Sequence, residues 1–236
     1  SDLSEIEESP NLLNQNENDE LLAQVEAQLA EIDFALNFIG KYSDQNKGLF
    51  VQKPEVEIDK FNQVLSRREE ILEITRRCRD FGDRINELRT QEIRQLNIIS
   101  QMQPWAALDV PFEDIRDTVS TRVIAGTIDK GQAEGFEEEM GLNSEFPVYL
   151  ERLGEDRDNT YYFILYHKLW EDEISGKLNE FGFSKGNFSG LRGTPQEIIR
   201  ECQANLDGIN KEYERIEQEA AGMVKYRDEL ELLYDA

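Results

Sequence analysis

From Thr194 to the end of the chain, Ile199, Cys202, Leu206, Ile209, Tyr213, Ile216, Ala220, Met223 and Leu230 recur at alternating steps of three and four. That is a heptad seam, the spacing that keeps one narrow apolar stripe turned towards a partner helix. Arg227 and Tyr234 fall on two further seam positions, so the stripe frays near the end. Thr194-Pro195-Gln196-Glu197 opens the helix as a capping box, with proline at the first helical position. A helix of about 40 residues is roughly 60 Å long and cannot bury such a stripe by itself. The rest of the chain has to supply what it lies against.

Two stripes upstream do so. Residues 1–17 are polar and rich in Asn and Glu, and are expected to be a poorly ordered leader. A helix is expected from about Asn18 to Gly40, with Leu22, Val25, Leu29, Ile32, Leu36 and Ile39 as its seam. The loop 41–56 carries an apolar patch, Leu49-Phe50-Val51, placed to dock back on the helices. A second long helix is expected from about Glu57 to Gln103, with Phe61, Leu65, Ile71, Leu72, Thr75, Cys78, Phe81, Ile85, Leu88, Leu96 and Ile99 facing in. Arg68 and Glu92 interrupt that seam, and Pro104 stops the helix because it lacks a donor and clashes with the preceding turn. Together residues 18–103 form the outgoing side of a helical shaft and residues 194–236 its return.

Between them, 104–193 reads differently. Thr121 to Ile128 is β-like, Asp129 caps a short helix over Lys130 to Met140, and Phe146 to Leu153 is a second strand. Gly154 to Asn159 is a polar turn, and Thr160 to Tyr166 is the most β-prone run in the chain. A second short helix covers Lys168 to Glu180, and Phe183 to Phe188 completes a fourth, edge strand. The order β-α-β-β-α-β is that of a ferredoxin-like lobe. The expected fold is therefore α+β and mostly helical: a long antiparallel coiled-coil hairpin carrying a ferredoxin-like lobe at its tip. The 18–40 helix thickens the far end.

Composition sets limits on function. The net charge of -24 over 236 residues argues against nucleic-acid backbones and anionic lipid surfaces as direct partners. Charged residues make up 32% and apolar residues only 39%, which fits long solvated helices better than one large core. No apolar run approaches the roughly 20 residues that cross a bilayer. The polar, acidic start is not a signal peptide, and the lack of an initiator Met implies a piece of something longer. Cys78 and Cys202 sit in helical stripes and read as buried, reduced thiols too far apart to meet.

No catalytic, metal or cofactor site is expected. His167 is the one histidine and has no companion nucleophile. Glu137-Glu138-Glu139 and Glu171-Asp172-Glu173 are consecutive helical residues, which point around the axis and do not converge on an ion. Gly182, Gly186, Gly190 and Gly193 are spaced as turn residues, and Trp105 and Trp170 as core anchors of the lobe.

Several motifs follow one another in a telling order: Pro104-Trp105-Ala106-Ala107-Leu108-Asp109, then Val123-Ile124-Ala125-Gly126-Thr127-Ile128, then Glu180-Phe181-Gly182-Phe183. Leu191-Arg192-Gly193-Thr194-Pro195-Gln196-Glu197 and Glu231-Leu232-Leu233-Tyr234-Asp235-Ala236 close the series. This order resembles the cytosolic N-terminal region of subunit I of bacterial and archaeal A/V-type ATPases, the counterpart of subunit a, over roughly residues 20–236. The resemblance implies a non-catalytic stator part on the cytoplasmic side of the membrane. It would link the ion-translocating membrane domain to the peripheral-stalk E/G heterodimer and resist torque during ATP-coupled proton or sodium transport. Other subunits of the rotary ATPase are implied as partners. The membrane is implied only through a C-terminal domain missing here, which also holds the family's essential arginine. Two rival readings rest on the residues alone: a generic coiled-coil cytoskeletal or scaffold protein with an inserted lobe, and an enzyme whose lobe binds a regulatory ligand.

A docking surface can be placed on the third strand, which is apolar on both faces. Phe163 and Leu165, with Val123 and Ala125, are expected under Phe136 and Trp170. Tyr149, Tyr162, Ile164 and Tyr166 are then left on the open face. That face either packs against the chain entering at Trp105 to Phe112 or receives helices of the stalk heterodimer, for which tyrosines offer large area and a polar tip.

Overall fold

Each long stripe in the sequence becomes helix, the first in one piece and the other two with an interruption. The structure, a computed structural model, describes residues 10–43, 58–142 and 144–235. In chain order its elements are α1 (Pro10–Gly40), α2 (Ile58–Ser66), α3 (Arg68–Met102), β1 (Thr121–Asp129), α4 (Ala133–Glu137), β2 (Val148–Glu155), β3 (Asn159–His167), α5 (Glu171–Glu180), β4 (Ser184–Lys185), α6 (Pro195–Met223) and α7 (Arg227–Tyr234). The chain is mostly helical with a small antiparallel sheet of four strands. It divides into a helical unit, Ser1–Arg89 with Asn210–Ala236, and a lobe unit, Thr90–Ile209.

Several expected boundaries are corrected. α1 starts at Pro10, so the polar leader does not extend to residue 17. The helix expected over 57–103 is interrupted at Arg67, where the Arg67 amide reaches only three residues back, to the Val64 carbonyl. The Ser66 hydroxyl donates to the Gln63 carbonyl at 2.7 Å, a local bond that competes with the helical ladder. The return helix is likewise split by a 3-10 turn at Val224–Tyr226, just after Gly222, a residue that lowers helix propensity. Beyond it, α7 packs on α1 and α2. The expected docking of Leu49-Phe50-Val51 lies outside the described residues.

Within the helical unit the pairing register is written in charge. Arg67 meets Glu229 at 2.8 Å, Arg77 meets Glu219 at 3.0 Å, and Arg84 meets Glu212 at 2.9 Å. As the arginine advances ten and then seven residues, its partner retreats by the same steps, which defines an antiparallel pair. These pairs are solvent-accessible and contribute more to register than to stability. Burial comes from Ile32, Phe38 and Ile39 of α1, Ile71, Leu72, Cys78 and Leu88 of α3, and Ile216, Ala220, Met223, Leu230 and Leu233 of the returning chain. The Cys78 and Met223 sulfurs lie 3.8 Å apart. Seam residues Leu22, Val25, Leu65 and Leu96 are exposed, contrary to expectation, and Phe81 and Ile85 only half-buried. Phe34 of α1 lies over Gly82, where a Cβ would stand 2.7 Å from its ring. The Arg79 guanidinium covers the same ring at 3.7 Å from its centroid.

In the lobe unit, the strand order is β2-β3-β1-β4 and every neighbouring pair is antiparallel. The short helix expected over 130–140 is a 3-10 turn, α4 and a π-helical turn to Leu142 in succession. Its Asp129 cap is present, accepting from the Gly131 amide at 2.8 Å. The expected fourth strand shrinks to two residues. β2 runs on through Glu155, and the turn after it is an Asx turn in which Asp156 accepts from the Asp158 and Asn159 amides. The β2 register slips at Leu153. There Gly154 lets the Pro104 carbonyl approach so closely that a Cβ would meet it at 2.5 Å.

The capping box at Thr194 is reciprocal. The Thr194 hydroxyl accepts from the Glu197 amide at 3.2 Å, and Glu197 accepts from the Thr194 amide at 2.8 Å. Gly193 before it has φ +79°, a left-handed backbone suited to glycine. Its carbonyl and amide bind the Phe112 amide and the Glu113 carboxylate, tying the start of α6 to the segment that enters the lobe.

Candidate docking surface

The two faces of the sheet are assigned by register, and the assignment corrects the expected one. β1 places Val123 opposite Leu165 and Ala125 opposite Phe163; β2 places Tyr149 opposite Leu165 and Glu151 opposite Phe163. These residues share one face. The other carries Ile124, Ile128, Tyr162, Ile164 and Tyr166, and it is this face that packs under Phe136, Met140, Ile174 and Leu178 of the helical layer. Tyr162 and Ile164 are wholly buried and Tyr166 nearly so. Three of the four expected docking residues are thus core residues. Tyr149, 53% exposed, stays on the opposite face from them.

One residue in the sequence hints at this assignment, though strand periodicity does not. Gly126 shares parity with Ile124 and Ile128, and a glycine inside a strand marks a close approach. Here the Phe183 ring and the Ser184 carbonyl both come within 2.4 Å of where its Cβ would be. The face with the larger β1 residues and the glycine is the one that receives the helices and the aromatic end of α5.

The second face is covered in part by the chain entering the lobe. Trp105, Leu108 and Phe112 pack on Ala125, Leu153 and Phe163, joined by Met102 and Ile199 from the ends of α3 and α6. Trp105 makes edge contacts with Tyr161 and Phe188, and Phe112 stacks on Phe188. At the margin of this cluster Val123 and Leu165 pack against it half-buried, and Tyr149, cross-strand from Leu165, is exposed. The Tyr149 hydroxyl donates to Glu151 at 2.9 Å, which raises the pKa of the phenol.

Several polar groups of the lobe hold its elements together. The Tyr162 hydroxyl donates to Glu137 at 2.7 Å; burial, then this bond, raises its pKa. Tyr161 donates to Asp156, and burial together with that bond pushes its pKa up to about 12. Arg122 joins Asp117 and Glu171, and the bond from Arg122 holds the Glu171 carboxyl below its usual range. Burial works against ionisation of Asp117, but the Val123 amide, Arg122 and Lys168 outweigh it and lower its pKa. Sequence alone carries no sign of this network, because its members lie on three separate elements. Of the acidic triplets, Glu137 also meets Arg152, and Glu139 meets Lys177 at 2.7 Å. His167 is exposed and accepts from the Leu169 amide through Nδ1, capping the turn that leads into α5.

Among the described residues, no His, Cys, Asp and Glu cluster could hold a metal ion. A cleft of about 240 Å³ between Phe112, Ile115 and the Lys185–Ser189 segment is smaller than ordinary small-molecule sites. Cys78 and Cys202 are free and buried; burial pushes the Cys78 thiol up to about 11 and raises Cys202 as well. No helix of the described residues is long and apolar enough to cross a membrane.

The described residues form a helical unit and a lobe, with ion pairs that link elements inside each. No family model matches the sequence. The chain is similar to the A-type ATP synthase subunit I of Methanothermobacter thermautotrophicus, with 25% identity over 208 residues, 82% of this chain and 31% of that protein. It thus spans about a third of the length of the curated relative it matches. A solved structure, the cytoplasmic N-terminal domain of subunit I, homolog of subunit a, of V-ATPase, aligns over 96% of this chain and 70% of that one. The alignment has 15% identity and a TM-score of 0.46.

Proposed function

We propose that this chain is part of the stator of a rotary A/V-type ATPase. The observation that carries the reading is the sequence similarity to an A-type ATP synthase subunit I over most of the chain. In this role it contributes no catalytic group. It links the membrane ion-translocating domain, on its cytoplasmic side, to the peripheral-stalk E/G heterodimer and resists torque. The charge-registered antiparallel helices support that task, because sliding one past the other would break the Arg67, Arg77 and Arg84 pairs together. The strand order β2-β3-β1-β4, with α4 and α5 on one face, supports a ferredoxin-like reading of the lobe. The hairpin with the lobe at its tip belongs to the same proposal.

Within it, the docking surface is the strip of Tyr149, Leu165 and Val123, with Glu151 alongside. The test is titration of the purified E/G heterodimer of the same organism into the chain, followed by calorimetry. Saturable binding weakened by Tyr149→Glu supports both the partner and the surface. Binding that Tyr149→Glu leaves unchanged moves the surface elsewhere. Absence of binding at about 100 μM, weaker than any stable contact of standard size, sinks the stalk assignment.

A further inference from the structure

The seam of α1 is buried along its second half and continues, without a break in spacing, where nothing described covers it. Ile32 and Ile39 are 3% and 0% exposed, whereas Leu22 and Val25, on the same stripe, are 58% and 46% exposed, with Leu21 beside them at 61%. From Asn18 to Ala27 every residue is exposed. The helix is also charged with one sign only: its 31 residues include six acids and no lysine or arginine. Glu31 is neutralised by Arg79, but Asp19, Glu20 and Glu26 have no ion pair among the described residues.

We infer that this uncovered stretch of α1 is a docking site for a basic amphipathic helix of a partner protein. The stripe is continuous with a seam that already binds helices, so an incoming helix would extend an existing packing geometry. Charge selects the partner. A second copy would bring Asp19, Glu20 and Glu26 against themselves, and an anionic lipid surface would repel them. A helix with leucines at heptad spacing flanked by lysine or arginine satisfies both the stripe and the carboxylates. Helical association of this kind is steered by the opposite charge and held by the apolar contacts. The inference does not depend on the stator reading, since it rests on exposure, spacing and charge alone.

A Leu/Lys heptad peptide of about three heptads is the probe. Its binding to the full 236-residue chain is followed by fluorescence anisotropy at low and physiological salt. Saturable binding is expected, weakened at least about tenfold by Leu22→Gln with Val25→Gln. Ile93→Gln with Leu96→Gln, which removes exposed apolar residues elsewhere, should leave it within about twofold. Glu20→Lys with Glu26→Lys keeps the stripe and should slow association markedly. Because the substituted residues are exposed, unchanged helicity by circular dichroism is expected in each variant. Three results overturn the inference: affinity unchanged in Leu22→Gln with Val25→Gln, equal binding of a Ser/Lys peptide without leucines, or sedimentation showing a dimer of the free chain that these substitutions dissolve.

Discussion

The helical unit and the lobe bury their apolar residues by different rules. Each helix of the first unit offers one stripe, so heptad position gives the side of residues such as Ile39, Ile71 and Cys78, though Leu22, Val25 and Leu65 on the same stripes are exposed. Arg–Glu pairs set the register. In the lobe, β3 is buried on both faces: Tyr162, Ile164 and Tyr166 lie beneath α4 and α5, while Phe163 meets Trp105 and its neighbours. A stripe can be read from the chain it belongs to. A strand buried on both sides cannot, because period two separates its residues into two sets without saying which set meets which layer.

The comparison predicts where substitutions cost most. Phe136 is wholly buried and its ring meets those of Tyr162, Phe181 and Phe183, so Phe136→Ala should cost about 3–5 kcal/mol in denaturant unfolding. Ile85, a seam residue of the helical unit, is only half-buried, and Ile85→Ala should cost less than about 2 kcal/mol. Equal costs would erase the distinction between a concentrated core and a distributed seam.

Two glycines of the Thr90–Ile209 unit, one in its sheet and one in its helix, come next. A Cβ on Gly126 would strike the Phe183 ring and the Ser184 carbonyl, so Gly126→Ala should force β4 away and cost about 1–3 kcal/mol. Gly208, in the interior of α6, has open space where a Cβ would stand, with nothing within 4 Å. Gly208→Ala should therefore stabilise by about 1 kcal/mol through helix propensity. Thermal denaturation of both variants checks the opposite signs.

These residues also show what was legible beforehand. The Thr194 cap, the Asp129 cap, the stop at Pro104 and the order of strands and short helices follow from local chemistry, and all were readable. The interruptions at Arg67 and Val224–Tyr226 were not, because neither contains a proline, and a serine or a glycine inside a long stripe does not by itself mark a break. The docking residues failed for a different reason. Val123 and Ala125 do share a face with Leu165 and Phe163, but the helices cover the other face, so Tyr162, Ile164 and Tyr166 are core. Tyr149 falls opposite them through a cross-strand register that no single strand contains.

The lobe should lose stability at high pH through its buried phenols. Burial and the bond to Asp156 raise Tyr161 to about 12, while an unfolded phenol titrates near 10. A raised folded pKa means that the contribution is complete below the unfolded value and is lost as pH rises through the folded one. Stability should therefore fall between about pH 10 and 12, and Tyr161→Phe should flatten that part of the profile. A profile identical in the variant would show that Tyr161 is not responsible. Tyr162, raised in the same direction, would then be the phenol to replace.

The smallest effect comes from two threonines, the buried polar residues of the described chain, one in each unit. Thr75, in α3, donates its hydroxyl to the Leu72 carbonyl at 2.8 Å, so its polar atom is satisfied inside the helix. Thr160, in β3, is wholly buried and its hydroxyl has no partner. Valine has nearly the same shape as threonine and removes only the hydroxyl. Thr75→Val should then cost about 0.5–1.5 kcal/mol, the usual net worth of a hydrogen bond. Thr160→Val removes a desolvated group that gains nothing in return, and it should be neutral or stabilising by up to about 1 kcal/mol. Equilibrium unfolding in urea separates the two if their signs differ. A loss of stability at Thr160 as large as that at Thr75 would mean that an ordered water or a shifted neighbour completes its bonding, so the lobe core would be wetter than its packing implies.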